Sequence, residues 1–246
     1  MRAHALLPQH GSMRTPEIDA GTAPAHPPRA VIASGAARYA DPWHPFAETS
    51  GHLAAVLRAD GWSVEVVKDP DVALTRLEGA ALLVVNAGDP WLDPGARRFV
   101  SPSAREGLDA AIARGIGLLA IHSALSSLRD YPAWRAAIGG SWEDGTSRHP
   151  EIGEARVRIV DATHPITAGM DDMELFDERY TDLVLDDGLE VLAAHELDGT
   201  RHPLVWVREQ PTRACVCALG HDARAYASPA LRTIIARAAR WTARLD

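Results

Sequence analysis

The segment Gly115-Ile116-Gly117-Leu118-Leu119-Ala120-Ile121-His122-Ser123-Ala124 constrains this chain more than any other. A short apolar run flanked by glycine, too short for a stable helix, reads as a strand buried in a parallel sheet. In open α/β sheets, ligands collect just beyond the carboxyl ends of the strands. His122 therefore stands where a doubly wound enzyme places a reacting group. Small Ala120 and Ala124 permit a sharp strand-to-helix turn of the nucleophile-elbow kind. The plainer alternative is a histidine that only caps a strand end by hydrogen bonds; the privileged position favours the functional reading.

The rest of the pattern extends this sheet. Ala30–Gly35 reads as a first strand, Glu48–Ala59 as a helix with Leu53, Val56 and Leu57 on one face, and Trp62–Val67 as an alternating strand. Leu82–Asn86 is a third strand. A capping box of Ser103 with Glu106 is expected to open a helix that runs to Arg114. This β-α-β-α-β rhythm predicts a parallel sheet with right-handed crossovers. Pro132–Ile138 reads as a short helix. Beyond Gly140, Ala155, Val157 and Ile159 alternate with charged residues, which predicts a strand with one wet face in an antiparallel extension. Val191–Ala194, Leu204–Val207 and Ala214–Leu219 are further strands, and Ser228 with Pro229 opens a last helix.

At 246 residues the chain holds one large domain, or at most two, with enough apolar sequence for a core without disulfides. Residues 1–28, rich in Pro, Ala and Gly, read as a disordered tail without a signal-peptide h-region, and Met13 is as good a start as Met1. The domain proper is expected over 29–246. A net charge of -8 argues against nucleic acid as a partner, and no apolar run is long enough to span a membrane. Cys215 and Cys217, two apart on one strand, diverge too far (roughly 7 Å) for a comfortable bridge. Free thiols in a core strand point to the reducing cytoplasm.

Of 11 histidines, His26, His44, His149, His164 and His202 precede proline, which holds them in extended backbone on loops and strand ends. His202 is expected to be structural, and His52 and His195 to lie on solvated faces. His44 follows the first strand, His122 the fourth, and His221 another apolar strand between Gly220 and Asp222. Loops after parallel strands open on one edge, so these imidazoles are expected to meet. Together they suit general acid/base work or a divalent metal such as zinc, although no H-E-x-x-H or paired C-x-x-C spacing supports the metal. Asp177-Glu178-Arg179-Tyr180 offers carboxylates that, on the residues alone, read as a salt-bridged surface turn. Trp43, Trp91, Trp134 and Trp142 are expected near loops at the sheet edge, where an indole stacks on a sugar or other flat apolar face. Trp62, Trp206 and Trp241 fit the core.

Gly117–Ala124 around Ile121-His122-Ser123, Gly139-Gly140, His149-Pro150, His164-Pro165-Ile166-Thr167-Ala168-Gly169, Glu178, Tyr180 and the run His202–His221 together resemble the ThuA-like family, named after trehalose utilisation. The likeness covers nearly the whole chain after the tail. It implies a three-layer α/β/α flavodoxin-like sandwich of the class I glutamine amidotransferase type, with a mostly parallel sheet and an antiparallel extension. In the amidotransferases the elbow carries a cysteine nucleophile; here it carries His122, so a thiolate mechanism is not expected. Leu125-Ser126-Ser127 and Gln210-Pro211-Thr212-Arg213 depart from the usual family pattern.

The resemblance also implies sugar metabolism, with disaccharides or their keto derivatives as substrates. The expected catalytic set is His122, His44, His221 and Glu178. The expected substrate-binding set is Asp89, Trp91, Ser123, His149, Tyr180 and Trp43, with a sugar or polyol as partner. A non-catalytic sugar-binding or regulatory subunit on the same scaffold is the alternative, and a homodimer is the default assembly.

Overall fold

Five β-strands rich in Val, Ile, Leu and Ala build the parallel half of one nine-stranded sheet, and four of them are buried along nearly their whole length. The computed structural model describes Met1, residues 26–93, Gly95 and residues 98–245. Most of the expected disordered tail, and Met13, lie outside the described residues. In chain order the elements are β1 (Arg29–Ser34), α1 (Phe46–Ala59), β2 (Ser63–Val67), α2 (Pro70–Leu74), β3 (Leu82–Asn86), α3 (Pro102–Arg114), β4 (Gly117–Ile121) and α4 (Pro132–Ile138). There follow β5 (Gly140–Ser141), β6 (Gly153–Ile159), β7 (Met173–Asp177), β8 (Val184–Leu185), β9 (Glu190–Leu197), β10 (Thr200–Arg208), β11 (Ala214–Cys217) and α5 (Pro229–Thr242).

The sheet order is β2-β1-β3-β4-β11-β10-β9-β6-β7. Strands β2, β1, β3, β4 and β11 run parallel; β10, β9, β6 and β7 continue the sheet antiparallel. Helices α1 and α5 pack together on one face of the sheet, and α2, α3 and α4 cover the other. This is the expected three-layer α/β/α sandwich, and the antiparallel extension begins where the one-wet-face alternation appears in the sequence.

Several local expectations are corrected. Helix α3 is capped by Ser101, whose Oγ accepts from Ala104 N, and not by Ser103. Pro102 at the first helical position sets the boundary, because its fixed φ suits the start of a helix and it has no N–H to satisfy. The far end of α3 stops at Gly115 in the left-handed region (φ 87°), where a β-carbon would be strained. Trp134 lies not at the sheet edge but in the core, its indole N–H on the Ala124 carbonyl. His195 is buried rather than solvated, with Nε2 on the Tyr180 carbonyl, because β9 is an interior strand of the extension. Finally, Asp177-Glu178 is no surface turn. It is the end of β7, a strand that the residue pattern did not announce, and both carboxylates are buried.

Candidate active site

Strand β4 ends at Ile121, and the chain turns at once into a short 3-10 segment over His122–Leu125. His122 carries φ 45°, a left-handed conformation rare for a residue with a β-carbon. Parallel pairing sets Ile121 beside Cys217, so the next residues, His122 and Ala218, are also neighbours. There His122 Nδ1 donates to the Ala218 carbonyl at 2.9 Å. A carbonyl can only accept, so this bond fixes the tautomer and leaves Nε2 bare. The ring is 1% exposed, with Tyr180 stacked over it at 4.3 Å between centroids.

His44 arrives from the loop after β1. Asp41 organises that loop: its carboxylate accepts from the backbone N–H groups of Trp43 and His44, each at 2.9 Å, and from His44 Nδ1 at 2.8 Å. Pro45 then leads into α1, and Phe46 stacks on the imidazole. His44 Nε2 is buried and has no hydrogen-bond partner among the described residues.

His221 comes from the turn after β11, and Glu178 from the end of β7. Asp177 ties the two together, accepting from the backbone N–H groups of Gly220, His221 and Glu178 at 2.7, 3.1 and 2.9 Å. The far end of the sheet is thereby clamped to the carboxyl edge of the parallel strands. His221 Nδ1 lies 3.2 Å from His122 Nε2. Glu178 Oε2 lies 3.3 Å from His122 Nε2 and 3.6 Å from His221 Nδ1, while its Oε1 faces His149 Nδ1 at 3.1 Å.

Burial pushes the His122 and His221 imidazoles below their ordinary range. Burial also acts to raise the Glu178 carboxyl, but the adjacent His122, His149 and His221 imidazoles outweigh it and hold the group low. Asp41 follows the same logic, with His44 overcoming burial. Burial wins at Asp177, pushed up to about 6 despite its three N–H donors, and at Asp89, which is also raised. Such opposed shifts inside one cleft are typical of working sites.

Three members of the cluster, His44, His221 and Glu178, line a cleft of about 510 Å³, and buried His122 touches the last two. Tyr180, Trp43, Trp142, Ser123, Asp89 and His149 line it as well. Trp91 is not among the lining residues. Its indole N–H goes to Asp130 at 3.0 Å, and Arg129 lies over its ring while also binding Asp89 at 3.0 Å. Two acidic contributors, Asp41 and Asp144, were missed by the sequence reading. Asp41 sits three positions before His44 in Asp-Pro-Trp-His-Pro, a spacing that would have signalled an Asx-type loop. Asp144 carries no comparable signal. Trp142, expected near the sheet edge but not assigned to the site, is a wall of the cleft.

The model of the ThuA family, described by trehalose utilisation, matches residues 29–242, nearly every residue of the fold. This chain belongs to the ThuA family. A ThuA-like protein from Parabacteroides merdae superposes with a TM-score of 0.73 at 17% identity, over 88% of this chain and 90% of the other. A second, from Bacteroides uniformis, gives 0.70 at 16% identity over 91% and 94%. A GMP synthase chain from Thermoplasma acidophilum gives 0.52 at 15% identity over 88% and 96%. At these identities the likeness is one of fold alone. No curated protein matches this ThuA sequence. No helix among the described residues is long and apolar enough to cross a membrane.

Proposed function

We propose that this ThuA-family chain is a cytoplasmic enzyme of carbohydrate metabolism that acts on a disaccharide or keto-sugar through the cluster of His44, His122, His221 and Glu178. The observation that carries the reading is the convergence of these four groups, from four separate loops, into one cluster of which His44, His221 and Glu178 line a cleft that indoles and carboxylates also line. A cleft of about 510 Å³ lies within the usual range of small-molecule sites and has room for a sugar of one or two rings. Trp43 and Trp142 offer flat apolar faces for the C–H side of a pyranose. Asp89, Asp144 and Ser123 offer acceptors for its hydroxyls, as sugar recognition requires. Imidazoles and a carboxylate in mutual contact are suited to moving protons at a hydroxyl or beside a carbonyl.

A thiol has no part in this reading. Cys215 and Cys217 are buried in β11, and burial pushes the Cys217 thiol up to about 12, far from a thiolate at neutral pH. The elbow position itself is an imidazole.

The test is a stability screen of the purified chain against disaccharides, keto-sugars and unrelated small molecules, followed by product analysis on any hit. Saturable stabilisation by sugars with turnover supports the proposal. Sugar binding without any product favours a regulatory role instead, and stabilisation by none of the sugars overturns the carbohydrate assignment.

A further inference from the structure

The hydrogen atoms of the cluster can be assigned from its outer partners. The Ala218 carbonyl takes the Nδ1–H of His122, and the Asp41 carboxylate takes the Nδ1–H of His44. Each ring therefore presents a bare Nε2. That of His44 is buried and meets no donor among the described residues. His221 Nδ1 and Glu178 Oε2 face the same point. One ligand atom from each of the four residues lies within 4.8 Å of all the others. The lone pairs of His44 Nε2, His122 Nε2 and Glu178 Oε2 converge on one small volume, where His221 Nδ1 adds a fourth in its Nε2–H tautomer, and a cation among them offsets their repulsion.

A proton is too small for the whole task. It can join one pair, such as His122 Nε2 with His221 Nδ1, but it leaves His44 Nε2 orphaned. The three separations above, 3.2, 3.3 and 3.6 Å, are instead close to the edge of a tetrahedron (about 3.3 Å) drawn by ligands about 2.0–2.1 Å from one ion. The outer contacts are also of the kind metal ligands carry: a carboxylate behind one imidazole, a carbonyl behind another, and His149 on the second oxygen of Glu178. Imidazole with a single carboxylate suits zinc and its first-row neighbours, and disfavours magnesium and calcium, which seek oxygen.

We propose that His44, His122, His221 and Glu178 form a binding site for one divalent first-row transition-metal ion of the zinc class. Three of the four also line the cleft, so the ion is reachable by a bound molecule. With the ion bound, these four side chains would act as its ligands in place of proton carriers, and the ion would supply a Lewis acid for a carbonyl or hydroxyl oxygen or a water of lowered pKa. The catalytic meaning rests on the carbohydrate reading above; the binding of the ion does not.

The test uses the full chain, stripped with chelator and titrated with Zn²⁺ and with Co²⁺, read by elemental analysis, calorimetry and the visible absorption of bound cobalt. The expected result is one ion per chain, a raised melting temperature, and cobalt bands typical of four or five ligands. His44→Gln, on a surface loop, and Asp41→Asn, which leaves all four ligands in place, should each fold. The first should weaken the ion at least 100-fold, the second about 10- to 100-fold. Binding of neither ion, or binding that His44→Gln leaves unchanged, overturns the proposal. Sugar binding in fully stripped protein with no ion uptake sinks the metal site alone; ion uptake without any sugar response sinks the carbohydrate reading alone.

Discussion

His122 Nε2 and His221 Nδ1 lie 3.2 Å apart although 99 positions separate them in the chain. The contact follows from sheet order. β4 and β11 are parallel neighbours, so the residues that follow their carboxyl ends emerge side by side. β1 lies two strands from β4 on the same edge, and its loop carries His44 to within 5.1 Å of the His122 ring and 4.6 Å of the His221 ring, centroid to centroid.

His122→Asn separates the chemistry of the ring from the shape of the elbow. Asparagine tolerates φ > 0 better than alanine, so the turn survives. Turnover of a sugar substrate should fall at least 100-fold. Stability should drop by about 2 kcal/mol, because the Ala218 carbonyl loses a buried donor. Kinetics and urea unfolding read the two effects separately. An almost fully active variant would return His122 to a structural role.

Asp177→Asn should change how stability depends on pH. The folded carboxyl, pushed by burial to about 6, lies above its ordinary 3.8, so the folded chain holds this proton more tightly than the unfolded one. The contribution is therefore full below about pH 4 and is lost as pH rises through 6, by up to about 3 kcal/mol. The variant lacks this titration. Its unfolding free energy, subtracted from that of the parent at each pH from 4 to 7, should reveal the slope; a flat difference rejects it.

Arg38→Ala tests a partly buried ion network away from the cleft. The guanidinium binds Asp71 at 2.9 Å and also Asp130, and Asp71 receives the hydroxyls of Tyr39 and Tyr131 as well. Removing the cation leaves the Asp71 and Asp130 carboxylates without their shared counter-charge and with little solvent. A loss of about 3 kcal/mol is expected in chemical denaturation, with the sugar and metal responses of the remaining folded protein unchanged.

Gly107→Ala examines helix packing. A β-carbon there would collide with the backbone carbonyl of Leu74, where α3 crosses the end of α2. Helix propensity favours alanine, yet the collision should dominate and cost about 3 kcal/mol, visible as a lowered melting temperature. A stabilised variant would mean that the two helices separate easily.

Cys217→Ser and alkylation bear on the thiol. The side chain is buried and its thiol is pushed up to about 12, so iodoacetamide on the folded chain should leave turnover unchanged. Loss of activity on alkylation would restore a cysteine mechanism.

The local pattern was enough for β1, β3, β4, α4 and α5, because continuous apolar runs and caps such as Ser228-Pro229 act over a few residues. It also placed His44, His122 and His221 at strand ends, and parallel strands share an edge. Asp177 and Glu178 were not legible in the same way. β7 reads Met-Glu-Leu-Phe-Asp, too short and too mixed to stand out, and its place at the cluster depends on long-range contacts such as the hydrogen bonds that Gly220 and His221 give to Asp177. Trp91 shows the same limit from the other side: its loop was found, but Asp130, 39 positions away, turned its indole from the cleft.

By itself, then, the sequence determined which strands are buried, that they form a parallel sheet between helices, and that an imidazole stands where the fourth strand turns. Those outcomes depend on periodicity and on chemistry at single positions. Only the tertiary structure decided which carboxylate meets the imidazoles, which nitrogen of each ring is bare, and how far apart the four donor atoms stand. These are set by contacts between residues scores of positions apart, and burial energy along one strand carries no record of them.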